Sequence, residues 1–156
     1  MKRLALVIYV IVQLIGTVAF ASTWCGGDVL KTPAVYFEFI GESDKPIYPI
    51  VIAVREPRKA ELKCALPSLG PLGAAVFVVD QKELADVDNL VESAPNESKS
   101  SKAEFSCVVV KMDSVKKFRL DLGASKKLFA NLRAYFGDRS PELRDRLETL
   151  VRRLGA

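Results

Sequence analysis

Four sets of side chains have the types and spacing to do chemistry. Ser114-Val115-Lys116-Lys117 fits Ser-x-x-Lys, in which a lysine activates a serine nucleophile. That chemistry needs the serine at a helix start, whereas the apolar pattern around it predicts a hairpin turn followed by solvated lysines. Cys25 carries a thiol in Trp24-Cys25-Gly26-Gly27 but has no histidine to activate it. Asp80, Glu83, Asp86 and Asp88 offer oxygen ligands for calcium, yet lack the glycine and spacing of a calcium loop. Arg139, Arg144, Arg146, Arg152 and Arg153 form the fourth set. Guanidinium groups grip carboxylates and phosphates bidentately, so these five are candidate partner contacts; the plain alternative is a solvated helix face.

Histidine is absent from the whole chain. Its absence removes Ser-His-Asp and Cys-His mechanisms, imidazole acid–base catalysis and the usual zinc sites. The three cysteines lie far apart, so there is no Cys-x-x-Cys redox pair. Gly70-Pro71-Leu72-Gly73 is followed by neither a lysine nor a helix start and is no phosphate loop. An enzyme built from this chain would have to run on carboxylates such as Glu38 or Asp121, with Lys or Tyr partners. No cofactor and no metal are expected.

The N-terminus argues for export. Lys2 and Arg3 precede a mostly apolar run from Leu4 to Val18, and Ala19-Phe20-Ala21 gives the small-x-small pattern of a cleavage site. The expected organisation is a cleavable signal peptide over residues 1–21 and one domain over residues 22–156, released to the periplasm or secreted. An uncleaved anchor is the alternative, but the run from Leu4 to Ala21 is short for a span and holds Gln13 near its middle. Loss of the leader takes Lys2 and Arg3 with it. That leaves 21 basic against 19 acidic residues and no argument for nucleic acid. Residues 22–110 carry 9 basic and 13 acidic side chains, whereas residues 111–156 carry 12 and 6. Such asymmetry can mark a basic face that meets an anionic partner, or two halves that compensate each other.

Three cysteines in an oxidising compartment predict one bridge and one odd thiol. Cys64 and Cys107 both sit in segments read as strands, each with apolar neighbours two positions away, so they are the expected pair. Cys25 is then the candidate free thiol, and it could also pair with a second protein or displace either partner.

The elements that must position these groups begin with strands. Ala34–Ile40 is rich in β-formers and ends at Gly41; 47–55 has apolar residues on both faces; and 61–66 alternates polar with apolar. Segments 47–66 therefore predict a hairpin. A loop over 67–73, a strand over 74–79, a short helix over 81–91 and an exposed loop over 92–102 follow. A second hairpin is predicted over 103–112 and 115–122. Its last strand turns Phe118 and Leu120 one way, Lys117 and Arg119 the other. After Gly123 the period becomes helical, with Ser125 as N-cap, Leu128, Phe129, Leu132 and Phe136 on one face, and Gly137 as the stop. Ser140-Pro141 opens a last helix with the stripe Leu143, Leu147, Leu150 and Leu154.

Strands followed by helices predict an α+β fold: a mainly antiparallel sheet of about five to six strands with a C-terminal helix pair on one face. By elimination the chain reads as an exported, non-catalytic binding protein, an inhibitor or immunity-like module acting on a protein partner, and free of the membrane once the leader is cut. Two alternatives stand beside it. One is an accessory subunit of an envelope assembly that docks through the arginine helix; the other is a carboxylate-based hydrolase.

Overall fold

The computed structural model describes residues 29–40, 48–69, 73–94 and 105–154. The leader, Cys25, positions 70–72, most of the loop over 92–102 and Gly155 lie outside the described residues. In chain order the elements are β1 (Ala34–Phe39), β2 (Ile50–Ala53), α1 (Lys59–Ala65), β3 (Ala75–Val78), α2 (Gln81–Glu92), β4 (Phe105–Val110), β5 (Val115–Leu120), α3 (Leu122–Phe136) and α4 (Pro141–Arg153). The fold is α+β, as the succession of elements predicts.

The strands form one five-stranded sheet in the order β3-β2-β1-β4-β5. Three of its four pairings are antiparallel; β2 and β3 run parallel. That parallel pair corrects the hairpin expected over 47–66. Residues 59–65 are a helix, and a parallel neighbour can be reached only by such a crossover. β4 is buried on both faces along its whole length, which suits its unbroken closing run Val108-Val109-Val110.

Strand periodicity divides the core into two layers. Val35, Phe37, Ile52, Phe105, Cys107, Val109 and Leu120 point to the face covered by α2, α3 and α4. Ala34, Tyr36, Val51, Ala53, Val108 and Val110 point to the other face, against α1 and Leu66. On the first face Phe129 stands edge-on to Phe37 at 5.5 Å and to Phe105 at 5.3 Å between centroids, an arrangement that suits the ring quadrupoles. Leu143, Leu147 and Leu150 of α4, with Leu154 at its C-cap, are all buried in the same core layer as α3, so the predicted stripe is the packing face.

The start of α3 differs from expectation. Asp121, not Ser125, is the N-cap: its side chain accepts from Ala124 N at 2.7 Å. Ser125 lies a turn inside, buried, with its hydroxyl donating to Asp121 O. β5 runs straight into the helix with one residue between, so the cap falls where the strand ends. Gly137 closes α3 with φ +36, a left-handed value that favours glycine, and its N–H donates to Arg133 O at 3.0 Å.

Candidate functional site

The expected cysteine pair does not form. Cys107 is a buried free thiol on the face covered by α2, α3 and α4. Cys64 belongs to α1 and packs with the cluster on the opposite face, so the sheet stands between them. The error follows from reading residues 61–66 as a strand. Burial first, then the charge of Asp88, pushes the Cys107 thiol well above its usual range and keeps it protonated. Cys64 is not a free thiol.

The five candidate arginines are not brought together as one open cluster. Arg144 pairs with Asp145 at 3.1 Å and reaches Asp138 at 3.6 Å; Arg152 donates to Glu148 at 2.6 Å. Arg139 lies over the Tyr135 ring at 5.0 Å, and Arg146 over Tyr48 at 5.6 Å. Arg153 lines a shallow cleft beside Tyr48 and Arg146 and is itself engaged. Each guanidinium therefore has a partner within its own chain.

The acidic stretch along α2 serves three separate purposes. Asp80 caps the helix by accepting from Glu83 N at 2.7 Å, and Glu83 returns the contact to Asp80 N at 3.2 Å. Asp86 accepts from the Tyr135 hydroxyl at 2.7 Å, and Asp88 binds Lys111 at 2.6 Å. Among the described residues no group of three such side chains is placed to hold a metal ion. The carboxylates on which a hydrolase would have to run are likewise occupied. Glu38 is buried and accepts from Ser68 N at 2.7 Å, while Asp121 caps α3. Ser114 sits in the β4–β5 turn, where its carbonyl accepts from Lys111 N at 2.8 Å, so Ser-x-x-Lys is a turn followed by strand lysines.

Sequence reasoning missed Glu61. It is fully buried at the third position of α1, where burial disfavours its charge. Hydrogen bonds from Arg58 N at 2.7 Å, Lys31 N at 3.0 Å, and Thr32 Oγ1 and Thr32 N at 3.0 and 2.9 Å outweigh that penalty and hold the carboxyl down at about 2. The carboxylate ties α1 to the segment that leads into β1. Nearby, the Tyr36 hydroxyl is buried without a hydrogen-bond partner; burial, then the charge of Glu61, pushes its ionisation far up.

Exposed apolar side chains gather at one end of the sheet. Val78, Ala53, Ala34, Val110 and Val115 form a single row across the strand ends. Four strand spacings make that row about 19 Å wide. Beside it, Met112 in the β4–β5 turn is 86% exposed, Val78 62% and Val115 41%. On edge strand β5, Val115, Lys117 and Arg119 share the outward face by period-two alternation, and all three are exposed.

A cavity of about 490 Å³ opens at this end between α2 and the strands. Val35, Leu84 and Val109 form apolar walls, Met112 stands at the rim, and Asp88 and Lys111 form a polar pole. Comparison with protein-family models, with curated proteins and with solved structures finds no match, so geometry alone bears on function.

Proposed function

We propose that the chain is exported by a leader over residues 1–21 and acts as a non-catalytic binding protein, an inhibitor or immunity-like module that caps another protein. The observation that carries this reading is the β4–β5 hairpin. Met112 and Val115 expose apolar surface at the start of β5, and Lys117 and Arg119, further along the same face of that strand, enter no ion pair among the described residues. An apolar centre with a charged rim is the anatomy of a recognition patch. The partner's matching surface is apolar and rimmed by carboxylates, since complementary charge speeds encounter and fixes register. Docking through α4 is the less supported alternative, because its four candidate arginines, and Arg139 in the turn before it, already have intramolecular partners. A carboxylate-based hydrolase is less supported again, as Glu38 and Asp121 are held by backbone N–H groups.

The bridge suited to an oxidising compartment is Cys25–Cys64. Cys107 is buried and free, Cys64 is engaged, and the chain holds three cysteines. Cys25 is then no free thiol but the partner of Cys64.

The test immobilises three proteins and compares what each retains from an envelope extract. The first is wild type, the second carries Met112→Asp with Lys117→Ala and Arg119→Ala, and the third carries Arg144→Ala with Arg152→Ala. One dominant partner, kept by the first and third and reduced at least about tenfold with the second, is the expected result; a single hot-spot residue is worth that much. Loss with the third protein alone would transfer the docking role to α4. Retention of nothing by wild type would sink the reading.

A further inference from the structure

β5 closes one edge of the sheet, and among the described residues no strand lies beyond it. The hairpin fixes the direction of its free backbone groups. Lys111 N donates to Ser114 O at 2.8 Å, so those two residues face each other as a bonded pair. Bonded and unbonded pairs alternate along an antiparallel ladder. Lys116, Phe118 and Leu120 therefore bond to Val109, Cys107 and Phe105. Val115, Lys117 and Arg119 turn their N–H and C=O groups away from β4 and off the sheet, and all three are exposed. The six residues of β5 keep an unbroken register, with neither proline nor bulge to blunt the edge.

Charge decides what can add to this edge. Lys116 is held by Glu92 at 2.5 Å, but Lys117 and Arg119 enter no ion pair among the described residues. A second copy of β5 is disfavoured, since the antiparallel register that uses all three outward residues sets Lys117 against Lys117. A strand of the order acid-x-acid-x-apolar, added antiparallel, instead places its acids opposite Arg119 and Lys117. Its apolar residue falls opposite Val115, towards the turn that carries Met112. We infer that the protein partner docks by strand addition, an extended acidic segment of it pairing with β5. Main-chain bonds supply affinity in such a complex, and alternate side chains supply specificity. This mode of docking deepens the proposed role of the β4–β5 hairpin and rests on that reading.

The experiment titrates purified protein with three blocked peptides and follows backbone amide exchange by NMR. The first peptide is threonine-glutamate-threonine-glutamate-threonine-valine-threonine. The second is N-methylated at both glutamates and the valine, so it keeps the charges and loses the donors. The third has lysine in place of glutamate. At saturation the first should slow exchange of the Val115, Lys117 and Arg119 amides at least about tenfold, while Lys116 and Phe118, already bonded to β4, change little. The second should bind at least about tenfold more weakly, the worth of one hydrogen bond, and the third not measurably. Lys117→Glu with Arg119→Glu, checked as folded by its thermal melt, should reverse the preference between the first and third peptides. Equal binding of the first and second, or of the first and third, would overturn the inference. So would the absence of any slowed amide, because the cations would then only guard the edge against aggregation. Each of these failures concerns strand addition alone; whether the hairpin's side chains hold a partner is read separately, from retention out of the envelope extract.

Discussion

Burying a carboxylate penalises its charged form, and the penalty is removed only by donors fixed in place before the charge arrives. Around Glu61 those donors are mostly backbone N–H groups, from Lys31, Thr32 and Arg58, so they cost little side-chain entropy to hold. The nearby guanidinium of Arg58 stands at 3.4 Å and is largely exposed, which makes it the weaker contribution. A carboxyl held at about 2 in the folded chain, against 4.5 as its ordinary value, binds its proton less readily folded than unfolded. Its contribution is therefore complete above pH 4.5 and lost as pH falls towards 2, and amounts to about 3 kcal/mol. Glu61→Gln keeps the shape but turns one acceptor into a donor that faces other donors. Urea unfolding at pH 7 should find this variant less stable by about 2–3 kcal/mol. Between pH 5 and 2 its stability should fall less steeply than that of wild type. Equal slopes would mean that Glu61 is not the group that titrates.

At the scale of elements, the sequence was most legible where a period persisted. The leucine stripe of α4 and the Pro141 start identify both the helix and its buried face. Residues 61–66 were too short to discriminate. Glu61-Leu62-Lys63-Cys64-Ala65-Leu66 alternates like a strand, yet it also sets Leu62, Ala65 and Leu66 three and four apart. What selects the helix is Glu61 bound to a segment some 30 positions earlier, a tertiary contact with no local signature. The cysteine error was inherited from that misreading. The pairing of Asp88 with Lys111 was hidden for the same reason, since the register of β4 against α2 brings them together. The five arginines were legible as a group, but not their intramolecular partners. An expectation about α4 follows from this contrast. Leu147→Ala should cost about 2–5 kcal/mol, because it opens a hole in a fully buried stripe. Arg144→Ala and Arg152→Ala should each cost under about 1 kcal/mol, as exposed pairs do. Chemical denaturation compares the three, and an arginine variant as damaging as Leu147→Ala would give α4 an electrostatic role that its packing does not require.

For the whole molecule, the sheet is a partition. One face carries α2, α3 and α4 over a continuous aromatic and aliphatic core, while the other is closed by α1, a helix of seven residues. So short a helix does not stand alone, and α1 depends on Glu61 and on its contacts with the sheet. A covalent tie from Cys64 would reinforce this thinner layer. The proposed bridge, by closing the span from Cys25 to Cys64, would stabilise by about 4 kcal/mol in the chain-entropy model. Cys107, beneath the thicker layer, reports the integrity of the opposite face. Exposing its sulfur requires α2 and α3 to leave the sheet, which removes most of the core. Iodoacetamide labelling of oxidised protein across a urea series should therefore modify Cys107 at the same midpoint at which circular dichroism is lost. Peptide mapping of the unfolded, unreduced samples should recover Cys25 and Cys64 as one crosslinked species, with Cys107 alone alkylated. Labelling of Cys107 well below the unfolding midpoint would show that the helical layer opens by itself. Recovery of Cys107 in a crosslink would restore the pairing that the sheet forbids, and with it a different packing of both layers.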